Sequence, residues 1–280
     1  MAKKSRFKEV AKTMFRSFFY HNVSKNAAAL AYYLLFALFP ILIFVSNLLG
    51  ILDLNVNAII RVLSGILPKD VVQIVESYLY YVSSNSNHVL LWFSLVFSIW
   101  FPMRAVKGLM DDVRRAYGLG RPASPVLYSV RQFLYTVVFL TVLVLTLAFS
   151  TVGERVLIFI DGLFPKGLFK SYDYLIGLWQ YLRFFLIAFL MLGAIGILYL
   201  ASLDKKEPVR TVLPGIFTAL LSWLFLSIGF SFYVENFSNY TLIYGTLGAI
   251  VVLLIWLYMS ALILILGAEL NAAISKIKED

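Results

Sequence analysis

The chain has no cysteine among its 280 residues. Disulfides, thiolate metal sites and a cysteine nucleophile are therefore excluded, although the absence does not decide the redox compartment. Charge is scarce as well, at 14% of residues, where a soluble domain carries about 25%. Histidine occurs twice, as His21 and His88. There is no Walker A loop, G-x-S-x-G elbow, H-E-x-x-H pair or EF-hand loop. Asp111 and Asp112 come nearest to a pair of catalytic acids. Neighbours on a helix point about 100° apart, however, which suits two-metal phosphoryl chemistry poorly. These absences argue against an enzyme, and no catalytic residue, cofactor or metal site is assigned.

What the chain does have is apolar length. Hydrophobic residues make up 61% of it, and Tyr244 to Ala268 runs 25 residues without a charge before meeting Glu269. At about 1.5 Å per residue, roughly 20 apolar residues cross a hydrocarbon core of about 30 Å. Six windows qualify: 27–52, a short one at 89–103, 132–153, 184–203, 211–234 and 242–268. The runs are continuous and rich in Leu, Ile and Phe, unlike the alternating strands of a β-barrel. The expected fold is all-α: a polytopic membrane protein of six transmembrane helices, with an amphipathic N-terminal helix and short outer interfacial helices. The expected domains are an N-terminal segment 1–26, a membrane domain 27–271 that includes an outer segment 53–88, and a tail 272–280.

The basic residues sort by side. Lys3, Lys4, Arg6, Lys8, Lys12, Arg16 and Lys25 precede the first window. Arg104, Lys107, Arg114, Arg115, Arg121 and Arg131 follow the second, Lys205, Lys206 and Arg210 follow the fourth, and Lys276 and Lys278 follow the sixth. Eighteen thus fall on one side, against six on the other: Arg61, Lys69, Arg155, Lys166, Lys170 and Arg183. Such asymmetry places both termini in the cytoplasm. It also accounts for the net charge of +9 without nucleic acid as a partner. The first apolar run is too long for a cleavable signal.

Before the first span, Phe7, Val10, Ala11, Met14, Phe15, Phe18 and Phe19 recur at helical spacing among lysines and arginines. Two readings stand side by side: a helix lying on the inner leaflet, and a helix packed under the bundle. In the outer segment, Ile59, Ile60, Leu63, Ile66 and Leu67 form one stripe. Val71, Ile74, Val75, Tyr78 and Val82 form another after Pro68, with Asp70 placed to cap. Two short interfacial helices fit, either as a lid or as a structural cover.

Polar groups inside spans are few, and each costs at least about 2.5–3.5 kcal/mol on insertion scales. Glu269 ends the sixth span, shares a face with Tyr258 and is followed by Asn271. Arg104, Lys107 and Asp111 recur at helical intervals after the second span, so a pair between Glu269 and Arg104 or Lys107 is expected. It reads either as an inner gate or coupling charge, or as a helix-end anchor. On the fifth span Ser227, Ser231 and Glu235 repeat every four residues, and Thr218, Ser222, Gly229 and Tyr233 follow a second face. Thr146, Ser150 and Gly153 make a stripe on the third. Such hydroxyls line wet paths or bond to helix backbones. Gly193, Gly196, Gly245, Gly248 and Ala249 suit close helix approach. Pro40 removes one helical hydrogen bond and kinks the first span, near Asn47, with Asn26 at its inner end. The two histidines fall on opposite sides.

Ala27-Ala28-Ala29-Leu30-Ala31-Tyr32-Tyr33 with Leu38-Phe39-Pro40 resembles the first-span signature of the YihY/BrkB family. So do Arg114 to Gly118, Leu213-Pro214-Gly215, Phe232-Tyr233, Tyr244-Gly245, Trp256-Leu257-Tyr258 and Leu266 to Asn271, in order along nearly the whole chain. Asp111 and Asp112 depart from the pattern, lying where less acidic residues are expected. The resemblance implies a bacterial inner-membrane protein of six helices with cytoplasmic termini. Members of the family have carried ribonuclease and serum-resistance labels, and a transport role is often suggested. No residue cluster supports the ribonuclease label. The reading is a permease-like transporter of an unidentified solute, lipid or amphiphile, with a non-transporting scaffold or envelope-assembly factor as the alternative. Expected partners are membrane lipids and a small solute or lipid substrate, with no nucleic acid and no assigned oligomeric state.

Overall fold

A computed structural model of the chain describes residues 2–51, 69–84, 88–162, 172–203, 208–236 and 246–279, together with positions 57, 60 and 64. Among these residues the fold is all-α: α1 (Ala2–Tyr20), α2 (Val23–Ile51), α3 (Lys69–Ser84), α4 (His88–Ala116), α5 (Pro125–Gly162), α6 (Tyr172–Ser202), α7 (Val209–Asn236) and α8 (Thr246–Glu279). Six of them, α2 and α4 to α8, are long and apolar enough to cross a membrane. The protein is a multi-pass membrane protein, as the apolar windows require. The second window is no shorter than the others, because α4 runs on for three turns beyond Met103. The last helix likewise continues through the expected tail to Glu279.

Among the described residues the main core lies toward one end of the bundle. The core there joins Val23, Ala27 and Leu30 of α2 to Ala105, Leu109, Met110 and Val113 of α4. It continues through Tyr135 of α5, Tyr199 of α6 and Ile216 of α7 to Ala261, Ile265 and Ala268 of α8. Small residues set its depth: a Cβ on Gly108 would meet Leu30 Cδ2 at 2.9 Å, so α2 and α4 lie close. Because Arg104 to Arg121 and the lysines of α1 gather here, this is called the basic end below.

Two turns build it. Asn22, at φ 54, is the left-handed residue that ends α1, a conformation asparagine tolerates better than most. Its carbonyl then accepts from Asn26 N–H to begin α2, so a two-residue elbow carries the chain from one helix to the next. After α4, Gly118 at φ 66 closes a Schellman turn, with Leu119 N–H donating to Arg114 C=O and Gly118 N–H to Arg115 C=O. Pro125 then opens α5, at the helix position where a missing N–H does no harm.

The N-terminal helix divides its apolar residues between two faces. Val10, Met14 and Phe18 turn toward the bundle, Phe18 packing on the core. Phe15, Phe19 and Tyr20 point outward. In the segment 53–88, α3 packs on α2 and α8. Its buried face is Val72, Val75 and Leu79, with Ile74 exposed, so the expected stripe is rotated by about one residue. The stripe from Ile59 to Leu67 lies outside the described residues.

Candidate functional site

Buried charge collects where the elbow between α1 and α2 meets the ends of α4 and α8. Glu269 is 2% exposed. Its Oε1 lies 2.6 Å from His21 Nδ1, and with Glu269 ionised the imidazole N–H is the donor. One turn of α2 further on, Asn26 Nδ2 donates both to His21 C=O at 3.0 Å and to Asp112 Oδ1 at 2.8 Å. The same Asp112 oxygen takes Arg115 at 2.9 Å. Tyr258, three turns before Glu269, places its hydroxyl 2.8 Å from Ser24 Oγ. The elbow and the first turn of α2 are thus fastened to α8 through His21 and Ser24 and to α4 through Asn26, while Arg115 Nη1 donates to His21 C=O at 3.4 Å.

The end of α4 serves as a hub because consecutive residues diverge around a helix. Asp111 accepts from Tyr128 OH of α5 at 2.8 Å, while Asp112 turns the other way, to Asn26. Arg114 is buried and donates to Ser202 C=O at the end of α6 and to Gly120 C=O in the turn. Arg114 therefore ties α4 to α6, and Arg115 ties it to the elbow.

A second device joins α7 to α8. Asn271 Oδ1 accepts from Gly215 N–H at 2.6 Å and its Nδ2 donates to Val212 C=O at 2.8 Å. These groups lie in the first two turns of α7, beside Pro214, which has no N–H to offer. Gly215 and Gly267 allow the approach: a Cβ on Gly267 would sit 2.6 Å from Tyr199 OH and 2.8 Å from Gly215 C=O. Tyr199 OH itself donates to Leu264 C=O at 2.6 Å.

The expected residues fare unevenly. Glu269 and Tyr258 both reach the start of the first span, through His21 and Ser24, whereas Asn271 joins α7 instead. The expected pair with Arg104 or Lys107 does not form, since both are exposed. Arg104 stacks over Trp100 at 4.8 Å, and His21 takes the place foreseen for them. Arg104 recurs along α4 with the right period but stands on its outward side. Pro40 lies inside α2, which stays helical to Ile51, so this span is not interrupted there. Asn47 is buried and donates to Ile43 C=O of its own helix. On α7, Ser227 Oγ is buried without a hydrogen-bond partner, whereas Ser231 is exposed. Thr146, Ser150 and Gly153 lie within α5 and Glu235 within α7, and their side chains are outside the described part of the structure. Thr218 and Ser222 are exposed, and Thr218 donates to Pro214 C=O, so that face turns outward instead of lining the interior. Gly193 also faces open space, while Gly196 meets Ile216 at 3.2 Å.

Sequence reasoning missed His21, Asp112 and Arg115 as partners of one cluster. A signal was present in part: His21 stands at the foot of the first span, and Asn26 follows one turn later. Among the described residues, no group of three or more His, Cys, Asp or Glu side chains could hold a metal ion.

The family model described as Virulence factor BrkB matches residues 14–280. The chain belongs to the BrkB family. A ribonuclease-like protein of Bacillus subtilis, YfkH, is similar at 28% identity over 96% of both chains. A UPF0761 membrane protein of Pseudoalteromonas atlantica is 38% identical over 29% of this chain and 27% of its own. One from Xanthomonas axonopodis is 40% identical over 24% and 16% respectively. No solved structure matches. The motifs Leu213-Pro214-Gly215 and Leu266 to Asn271, which carry the resemblance to this family, are the two sides of the crossing between α7 and α8.

Proposed function

We propose that this BrkB-family chain is a permease-like protein of the bacterial inner membrane that passes a solute, lipid or amphiphile between its helices. Its ends lie in the cytoplasm, as the basic asymmetry implies, and the cluster around Glu269 is the inner gate in its closed state. The observation that carries this reading is the burial of Glu269 against His21. A buried carboxylate held by a polar partner, even when both are charged, is no more stabilising than apolar side chains of the same size, and often less. Stability alone therefore gives no reason for the charge, whereas separable charges at the end of a span suit a gate. Purified protein in liposomes should move at least one class of ion, osmolyte or phospholipid faster than protein-free vesicles. Glu269→Gln should slow that flux several-fold while the protein stays folded by circular dichroism. Protein-free rates for every class tested would end the proposal.

The alternative, a non-transporting scaffold, draws support from the outward-facing hydroxyls Thr218 and Ser222 and from the unbroken α2. It predicts no flux and a protein that co-purifies with the chain.

We further propose that the chain is not an enzyme and takes no nucleic acid, whatever the name of the Bacillus relative suggests. Asp111 and Asp112 are engaged by different helices, so they do not converge on one phosphate. Purified protein with magnesium should leave RNA at full length. Cleavage that is abolished by Asp112→Asn would overturn this.

A further inference from the structure

The outward face of α1 carries an unexplained combination of groups. Phe15 is 70% exposed and Phe19 63%, with Tyr20 beside them. Lys8, Lys12 and Arg16 are exposed on the same side of the helix, with Glu9 the one acid there. The inner face of α1 is already occupied, since Phe18 packs on the core and His21 holds Glu269. This outer face therefore does not serve to attach the helix to the bundle. Phe15 and Phe19 meet edge to face at 5.2 Å, forming an apolar ridge flanked by cations.

We propose that this face is a docking surface for anionic phospholipid headgroups. Charge and position both support it. The face is basic, and the surface of an anionic leaflet attracts lysine and arginine within a Debye length. Two residues separate α1 from the first turn of a membrane-spanning helix, and the elbow is hydrogen-bonded at Asn22 and Asn26. The ridge is thereby held at the level where headgroups begin, the depth at which interfacial helices bury aromatic side chains while their lysines stay at the phosphates. At that level exposed phenylalanines meet acyl chains, which RNA or an acidic protein in water does not offer. The inference stands whether or not the protein transports anything.

The absence of cysteine makes the test direct. Ala11 is exposed on the same face, so Ala11→Cys in the full-length chain accepts one nitroxide label. The label's collisions with a water-soluble nickel relaxer and with oxygen are then compared in phosphatidylcholine vesicles with and without added phosphatidylglycerol. Phosphatidylglycerol should move the label from water toward the acyl boundary, and high salt should return it. Lys12→Gln and Arg16→Gln should each raise the phosphatidylglycerol needed by roughly fivefold. Because both side chains are exposed and neither joins the cluster at Glu269, the variants should keep the wild-type unfolding midpoint. Phe15→Ser with Phe19→Ser should leave the label in water in both lipids. Equal accessibility with and without phosphatidylglycerol would overturn the proposal. So would a label equally protected in detergent, which would report a second copy or a protein partner, or protection that appears only with added RNA.

Discussion

Gly215→Ala should part α7 from α8 and leave little properly folded protein in the membrane. A Cβ at this position would fall well inside contact distance of Gly267 C=O and of the Asn271 amide. The first is backbone and cannot rotate away, so a helix has to shift. Overpacking of a tight site costs typically ~1–3 kcal/mol, and rigid neighbours push it to the top of that range. The shift also breaks both hydrogen bonds of Asn271 to α7, each contributing about 1 kcal/mol. Within the bundle no water replaces them. Thermal unfolding in detergent, followed by monodispersity, should show a large fall for Gly215→Ala and a smaller one for Asn271→Ala. Gly193→Ala is the control, because nothing lies within 4 Å of its added methyl. Alanine there favours the helix by up to about 1 kcal/mol. Equal stability of Gly215→Ala and wild type would show that the two helices do not cross as closely as described.

The six spans were legible in the sequence because lipid imposes two crude requirements, length and apolarity, that do not depend on neighbours. The grouping of both chain ends at one end of the bundle follows from the same even count. What the sequence did not reveal is azimuth. Arg104 and Lys107 recur with the period of a helix, as His21 does not, yet Arg104 stands on the outer side of α4 against Trp100. The partner of Glu269 lies 248 residues away in an elbow, where no periodicity reaches. The N-terminal helix shows the same limit. Its apolar residues pointed to an amphipathic helix, but whether they served the leaflet or the bundle depended on which side met α8. Val10, Met14 and Phe18 went one way and Phe15 and Phe19 the other. Gly267 was hidden for a different reason. It meets Gly215 and Ala219, a small-x-x-x-small pair on α7, but four residues to either side of Gly267 stand Ile263 and Asn271, so no such spacing within α8 announces the contact.

His21→Ala should destabilise the protein more than Glu269→Gln does. Deleting the imidazole leaves the Glu269 carboxylate buried, with water largely excluded and Asp112 adding negative potential at the same end. Arg115 neutralises Asp112 in part, but that side chain is 46% exposed and screened. Breaking a buried pair from one side costs about 3–5 kcal/mol because the remaining charge is uncompensated. Glu269→Gln keeps an oxygen that accepts from His21 Nδ1–H and removes the charge, so the cost falls to a fraction of that. The double variant His21→Ala with Glu269→Gln should therefore be more stable than His21→Ala alone. The two substitutions should be non-additive by about 0.5–3 kcal/mol, as contacting residues are. Unfolding midpoints of the four proteins in one detergent at one pH measure the cycle. If His21→Ala unfolds like wild type, or the two changes simply add, the carboxylate is not held by the histidine.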